Sequence, residues 1–133
     1  MATFHLQIVT PDRMVFDGQA ESIIVRTVGG DACILARHID YAAPLGIGEA
    51  HMTDAEGNER YAACSGGMLS VANGEVRVMA TTFEWAEDID LNRAELAQQK
   101  AEKQLETLSR EDKNFAIYEA KLKRALTRIH VKG

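Results

Sequence analysis

The chain has 133 residues, of which 46% are hydrophobic and 26% charged, and its formal net charge at pH 7 is −5. This length and composition are typical of a globular protein that buries a core without disulfides or metal. No apolar run reaches the roughly 18 residues of a membrane-spanning helix, and the negative charge argues against nucleic acid as a partner.

The chain opens on a strand pattern. Over residues 4–10 apolar side chains alternate with polar ones, which is the period-two signature of a half-buried strand. Because this start has neither a basic nor a long apolar region, we expect no signal peptide. Pro11-Asp12 ends the strand, and two more short β-rich runs follow at residues 14–16 and 21–27.

Two β-hairpins are indicated farther along the chain. One turns at residues 56–59, and the other turns at Asn73-Gly74, a pair that suits a type I′ turn because both residues accept positive φ. We expect Gly66-Gly67 to form a tight turn before a strand. Many short strands at regular spacing predict a β-sandwich or barrel.

Beyond residue 90 the hydrophobic period changes to three or four residues, which predicts helices. The repeating positions are Leu91, Ala94, Ala97 (or Gln98), Ala101, Leu105 and Leu108, and then Phe115, Tyr118, Leu122, Ala125 and Ile129. Ser109 can cap the second helix, with Asp112 near its N-terminus. Because the connection between the two predicted helices is so short, we expect them to pack as an antiparallel hairpin. Its alanine-rich seam buries little area, so the hairpin is either a detachable element or a permanent structural one.

The charge balance changes along the chain. Residues 1–88 hold five arginines, no lysine and 13 acidic residues, whereas residues 89–133 hold ten basic and seven acidic residues. Such a change indicates a boundary between modules. We therefore predict an α+β fold with a β domain over residues 1–88 and a helical hairpin over residues 89–133.

Four charged residues could form a ligand-binding site. Asp90 and Arg93 open the first helix, and Arg124 and Arg128 share one face of the second. In an antiparallel hairpin all four converge at the open end, beside the β domain. They predict either a nucleotide-phosphate site or a plain ion pair between Asp90 and one of the two arginines.

We find no convincing catalytic set in the sequence. There is no P-loop, no G-x-G-x-x-G motif and no metal-ligand spacing. The stretch Cys64-Ser65-Gly66-Gly67 does not match the G-x-S-x-G nucleophile motif. We therefore expect a protein that is not an enzyme, binds no metal and requires no cofactor.

Three stretches resemble the epsilon subunits of bacterial and chloroplast ATP synthases. They are residues 6–13, residues 65–71 followed by 76–80, and residues 87–90 followed by Arg93-Ala94. Their order and spacing together are specific, and the resemblance covers essentially the whole chain. It implies a flattened β-sandwich of about ten strands followed by two antiparallel helices.

The resemblance also implies a function. It is that of a rotor subunit of a proton-translocating ATP synthase, peripheral to the cytoplasmic face of the bacterial inner membrane and not inserted into it. The sandwich would bind the gamma subunit and the ring of c subunits. The hairpin would be permissive when packed on the sandwich, and inhibitory when extended along gamma into the alpha/beta catalytic head. The basic balance of residues 89–133 suits docking on acidic surfaces of that head.

Some members of this family bind ATP through an I/L-D-x-x-R-A motif. Here the motif reads Ile89-Asp90-Leu91-Asn92-Arg93-Ala94, and its matching partners are Glu84, Arg124 and Arg128. The resemblance thus implies ATP as a regulatory ligand. A ligand that binds only the compact state favours that state by mass action.

Residues 31–44 depart from the family pattern. Asp31 and His38 keep their places, whereas the glycines and the proline near them are missing and a proline reappears at Pro44. In the family this region lies near the c-ring. We therefore expect Asp31 and His38 to belong to a c-ring-proximal loop.

Two alternative functions remain open from the residues. A stand-alone ATP-sensing module would bind nucleotide through the hairpin without a rotor partner. The second alternative is a β-sandwich hydrolase or sugar-binding module with a helical tail. Sugar binding usually needs exposed aromatic side chains, and Trp85 lies beside the module junction, where packing is the expected role.

Overall fold

The computed structural model of the chain describes residues 2–133. Within them, seven strands precede two α-helices. The elements are β1 (Phe4–Thr10), β2 (Arg13–Thr27), β3 (Gly30–Leu35), β4 (Tyr41–Pro44), β5 (Ile47–Asp54), β6 (Glu59–Ala72), β7 (Glu75–Trp85), a 3₁₀ turn (Ala86–Asp88), α1 (Leu91–Thr107) and α2 (Phe115–Lys132). The predicted α+β fold, strands first and helices last, is confirmed.

The strands form one sheet that closes on itself. Their order is β1-β7-β6-β5-β2-β3, β1 also pairs with β2, and β4 pairs with β6. Among the described residues every strand pairing is antiparallel except that of β1 with β7. Alternate side chains point inward, and residues such as Leu6, Ile23 and Leu69 are fully buried. The result is a flattened sandwich around one core.

The sandwich has seven strands within residues 2–133, where the resemblance implied about ten. β2 runs through Gly18, and β6 runs through Gly66-Gly67, so each of them joins runs that the sequence pattern separated. The predicted turn at Gly66-Gly67 is wrong, because β6 continues through both glycines and has the same register with β7 before and after Gly66.

Gly66 and Gly67 instead carry β6 from one layer of the sandwich to the other. The N-terminal half of β6 pairs with β5, and its C-terminal half pairs with β4. Both glycines have positive φ, at 70° and 102°, a conformation that side chains with a Cβ rarely adopt. The inward side chains change from even-numbered to odd-numbered residues across them, for example from Ala62 to Leu69. The glycines therefore keep the apolar face inward through the bend.

The second predicted hairpin turn is confirmed. Asn73 and Gly74 have φ values of 52° and 79° between β6 and β7, as a type I′ turn requires. The first hairpin, between β5 and β6, is also present. There the Asp54 carboxylate accepts hydrogen bonds from the backbone N–H groups of Glu56 and Asn58.

The two helices form the expected hairpin, with a longer connection than predicted. α1 ends at Thr107 and α2 begins at Phe115. The predicted cap by Ser109 is therefore wrong, because Ser109 lies six residues before the first helical residue, inside the connection. Asp112 accepts a 2.8 Å hydrogen bond from the backbone of Asn114. The alanine seam is confirmed at positions 94, 101 and 125, which are buried. It is wrong at Ala97, which is exposed, whereas its alternative Gln98 is half-buried.

The hairpin rests on the sandwich through α2. That helix packs on β5, β6 and the 3₁₀ turn, and its apolar contact is a small cluster of Ala63, Ile89 and Val131 with Ala86 at its edge. Polar contacts complete the attachment, including Lys132 Nζ on the Ala86 carbonyl at 3.1 Å. The main core contains no residue beyond Trp85, so the sandwich has a core of its own.

A histidine ties three strands together on the outer face of the sandwich. His5 of β1 has Nε2 at 2.5 Å from an Asp17 oxygen and Nδ1 at 2.5 Å from a Glu75 oxygen. Only the imidazolium form donates from both nitrogens. The hydrogen bond to Asp17, followed by that to Glu75, raises the pKa of His5 above its usual 6.5.

The stability of the sandwich should therefore fall at alkaline pH. Because the folded-state pKa of His5 is raised, its contribution is present below pH 6.5 and is lost as pH rises through the folded value. We expect the urea midpoint of the wild type to exceed that of His5→Gln at about pH 6 and to approach it at about pH 9. A midpoint difference that is constant over this range would contradict the assignment.

Candidate functional site

A cavity of about 570 Å³ lies where the hairpin meets the sandwich. Its walls come from the β1–β2 turn, the end of β7, the start of α1 and the end of α2. The lining residues are Thr10, Asp12, Arg13, Thr81, Thr82, Phe83, Glu84, Asp88, Asp90, Arg93, Ala94, Ala97 and Arg128. This volume is typical of a small-molecule site.

Asp90 starts the wall that α1 provides. Its backbone is extended, and its carboxylate accepts a 3.1 Å hydrogen bond from the backbone N–H of Arg93. This N-cap fixes the first turn of α1 and directs the free N–H groups of that turn toward the same end of the hairpin. Ile89 and Ala94, at the two apolar positions that the motif specifies, are buried, and Ala94 also lines the cavity.

Glu84 and Arg128 join the sandwich to the hairpin across the cavity. The Arg128 Nε donates to a Glu84 oxygen at 2.5 Å, and both side chains are partly shielded from solvent. Within residues 2–133, Asp90 pairs with neither Arg124 nor Arg128, so the predicted plain ion pair is wrong. The reason is that the Asp90 carboxylate caps α1, while Glu84 takes the guanidinium of Arg128.

The structure brings together most of the predicted site residues. Glu84, Asp90, Arg93, Ala94 and Arg128 line the one cavity. Ile89 supports it from the small apolar cluster behind it. Arg124 lies instead on an adjoining cleft of about 580 Å³ between the two helices, which Arg128 and Ala97 also line.

The cavity and the cleft differ in charge. The cavity is lined by four carboxylates and three guanidiniums. Among the described residues that line the cleft, five are basic and none is acidic: Lys100, Lys103, Lys121, Arg124 and Arg128, beside Ala97, Gln104 and Tyr118. The cavity and the cleft meet at Arg128. A single ligand that spans them would contact a surface of both charges in the cavity and a cationic surface in the cleft.

Sequence reasoning missed the lysines of the cleft. Lys100 follows Ala97 by three residues and Lys121 precedes Arg124 by three, so helical spacing from the predicted residues could have found them. The β1–β2 turn carried no such signal, because it lies far from α1 in the chain. In that turn the Thr10 hydroxyl donates to the Asp12 carboxylate at 2.7 Å and lowers its pKa.

Asp31 and His38 do not share a loop. Asp31 lies in β3, where it pairs with Arg26 at 2.6 Å and raises the pKa of that guanidinium. His38 lies beyond the other end of β3, with its ring edge-on to Tyr41 at 5.8 Å. The expectation of a common loop over residues 31–44 is therefore wrong, because β3 and β4 occupy most of that segment.

Two features are absent from residues 2–133, a metal-ligand cluster and a membrane-spanning helix. No group of three or more His, Cys, Asp or Glu side chains could hold a metal ion there. No helix in this part of the chain is long and apolar enough to cross a membrane.

Two family models match the chain in succession. Residues 3–86 match the model described as ATP synthase, Delta/Epsilon chain, beta-sandwich domain. Residues 87–133 match the model described as ATP synthase, Delta/Epsilon chain, long alpha-helix domain.

Curated relatives agree with these models. The chain is 39% identical over 129 residues to an ATP synthase epsilon chain of Caldicellulosiruptor bescii, covering 97% of this chain and 93% of that protein. It is 36% identical over 131 residues to an ATP synthase epsilon chain, sodium ion specific, of Propionigenium modestum, covering 98% and 94%. A chain in a structure of the Euglena gracilis mitochondrial ATP synthase shares the fold, with a TM-score of 0.82, 21% identity and coverage of 96% and 79%.

Proposed function

The chain belongs to the delta/epsilon chain family of ATP synthases, as an epsilon chain of the central stalk, and we propose that it works there as a non-catalytic rotor subunit with a regulatory hairpin. Its partners are the gamma subunit, the c-ring and, through the hairpin, the alpha/beta head. It acts peripherally, at the cytoplasmic face of the membrane. The sodium-specific name of one relative leaves both H⁺ and Na⁺ as candidate coupling ions.

The regulatory ligand of the hairpin is ATP, and the charge pattern supports a mode of binding. The cavity, with nearly balanced charge and hydroxyls from two threonines of β7, suits the hydrogen-bonding groups of the nucleoside. The cleft, with five basic side chains, suits the phosphates, which lysine and arginine bind through charge-assisted hydrogen bonds. Arg128 lines both spaces and would contact the phosphates nearest the ribose.

A ligand in this position would hold the hairpin down. The walls of the cavity come from both the sandwich and the hairpin, so a bound nucleotide bridges the two. The apolar contact between them is small, and burial of so few side chains contributes only a few kcal/mol, about 0.8 for each buried CH₂. Ligand binding to the compact state alone therefore shifts the balance toward that state.

The observation that best supports this proposal is that the hairpin is attached to the sandwich through α2. Because polar contacts of Arg128, His130 and Lys132 make up much of it, the hairpin can leave the sandwich without opening the main core. The released face of α2 is basic, and it can then dock on an acidic surface elsewhere.

An add-back experiment tests the proposal. ATP hydrolysis is measured for a synthase head depleted of its epsilon subunit, with the full-length chain or a chain truncated after Asp88 added back. We expect both chains to bind the head through gamma, because the sandwich has its own core, and only the full-length chain to inhibit hydrolysis. The purified chain alone should hydrolyse no ATP.

Two outcomes would count against the proposal. If neither chain binds the head, the rotor role fails. If both bind and neither inhibits, the hairpin is not a regulator of hydrolysis.

A further inference from the structure

The β1–β2 turn, over residues 10–13, reaches the cavity although it lies far from both helices in the chain. β1 runs parallel to β7, and the last pair of that ladder is Val9 with Met79. The turn that follows Val9 therefore comes to lie beside residues 81 and 82 of β7. The turn and these two residues line the cavity together, so the strand register places the turn in the wall of the site.

The turn holds its shape without contacts from the hairpin. Pro11 fixes one backbone φ angle, and the Thr10 hydroxyl donates to the Asp12 carboxylate at 2.7 Å. This hydrogen bond is the largest cause of the lowered pKa of Asp12, and the charge of Arg13 contributes less. Asp12 is therefore ionised at neutral pH, and the turn presents a fixed carboxylate beside a guanidinium.

The side chain of Arg13 is available to a ligand. Within residues 2–133 it takes part in no ion pair or hydrogen bond, whereas Arg128 of α2 pairs with Glu84. Among the described residues that line the cavity, Arg13 is the one basic residue from the sandwich, since Arg93 and Arg128 belong to the hairpin. A ligand that contacts Arg13 is thereby attached to the sandwich.

The charges around Arg13 decide which part of a nucleotide it meets. Asp12 and Glu84, the other charged residues that the sandwich contributes to the described lining, are both acidic and would repel phosphates. In the mode of binding proposed above, the phosphates lie in the basic cleft beyond Arg128. The purine base, at the other end of the nucleotide, is uncharged and has acceptor nitrogens in its rings. A guanidinium donates to such nitrogens and stacks on planar rings.

We propose that Arg13 recognises the purine base of the nucleotide from the sandwich side of the cavity, by donating hydrogen bonds to ring nitrogens of the base. The inference rests on the nucleotide site proposed above, and it adds a residue outside the I/L-D-x-x-R-A motif and its partners. A ligand held only by the hairpin would bind the docked and released states alike and would favour neither. A base held by Arg13 makes the docked state the tighter-binding one.

Titration calorimetry of the purified full-length chain with ATP tests the inference. We expect Arg13→Gln to weaken ATP binding about tenfold, which is the usual scale for the loss of one charged hydrogen-bond donor. The matched control is Arg77→Gln, which removes the same charge from β7 at a position that does not line the cavity. The control should change the affinity by less than about twofold, because salt screens so distant a charge.

The outcomes separate the inference from the proposed function. If the wild-type chain binds no ATP, the nucleotide site of the proposed function fails and the inference falls with it. If the wild type binds ATP and Arg13→Gln binds it equally tightly, only the inference is overturned. An equal loss in Arg13→Gln and Arg77→Gln would mean that net charge sets the affinity, and this too would overturn the inference.

A photoreactive nucleotide covers the case of a variant that does not fold. 8-Azidoadenosine triphosphate carries its azide on the purine ring, so it labels residues near the base, and the wild-type chain is used unchanged. Labelling within residues 10–13 that excess ATP prevents supports the inference. Labelling confined to other parts of the chain, or no labelling, overturns it.

Discussion

We expect the replacement of Arg128 with alanine to weaken the proposed binding of ATP by about two orders of magnitude, which corresponds to about 3 kcal/mol. Arg128 lines both the cavity and the basic cleft, so its loss removes phosphate contacts at the junction of the two. It also leaves Glu84 without its partner, and that carboxylate then repels the ligand. Arg124 lines the cleft without reaching the cavity, so Arg124→Ala should cost less, about tenfold.

The control for this prediction is Lys132→Ala. Lys132 helps attach α2 to the 3₁₀ turn through backbone carbonyls and lines neither the cavity nor the cleft. If the Arg128 effect came only from a loosened hairpin, both variants would lose affinity equally. Titration calorimetry with ATP distinguishes the two cases. An unchanged affinity of Arg128→Ala for ATP would contradict the placement of the nucleotide site at the hairpin.

Replacing Gly67 with alanine will destabilise the sandwich by about 4 kcal/mol or more, a large fraction of the stability of a domain of this size. Gly67 has a φ of 102°, a region that essentially only glycine occupies. An added Cβ would overlap the carbonyl oxygen of Met79 and the Cα of Ala80 on the adjacent strand. Backbone atoms cannot move aside as a flexible side chain can, so β6 and β7 would have to separate.

Gly74→Ala is the matched control. Gly74 also has a positive φ, of 79°, but an added Cβ there meets nothing within 4 Å. Its cost should be the conformational term alone, about 1–2 kcal/mol. Urea unfolding of both variants measures the difference. Equal stabilities would mean that the bend of β6 tolerates a side chain and that the glycine there is dispensable.

The elements of this protein could be predicted because their signals are local. The period-two pattern of β1, the Asn73-Gly74 turn and the three-to-four-residue period of both helices depend on residues that are neighbours in the chain. The change of charge near residue 88 is equally local, and it falls close to the end of β7 at Trp85. Such local patterns do not depend on how distant segments of the chain pack together.

Part of the candidate site could be predicted for a related reason. Asp90 and Arg93 share one helical turn, and Arg124 and Arg128 share one face of another helix, so the antiparallel hairpin suffices to bring their elements together. The pairing of Arg128 with Glu84 was not accessible in this way. It depends on how α2 docks on the sandwich, because four acidic residues of β5 and β7, Glu49, Asp54, Glu75 and Glu84, are equal candidates by sequence.

The kind and order of the elements, strands followed by a helical hairpin, and the motif that opens α1 could be predicted from the residues alone. Only the packing of distant segments placed the layer-crossing bend of β6 at Gly66-Gly67 and the β1–β2 turn in the wall of the cavity. It alone also paired Arg128 of α2 with Glu84 of β7. The physical reason is that register and layer crossing are set by pairing between segments far apart in the chain, and no local periodicity encodes which of them will meet.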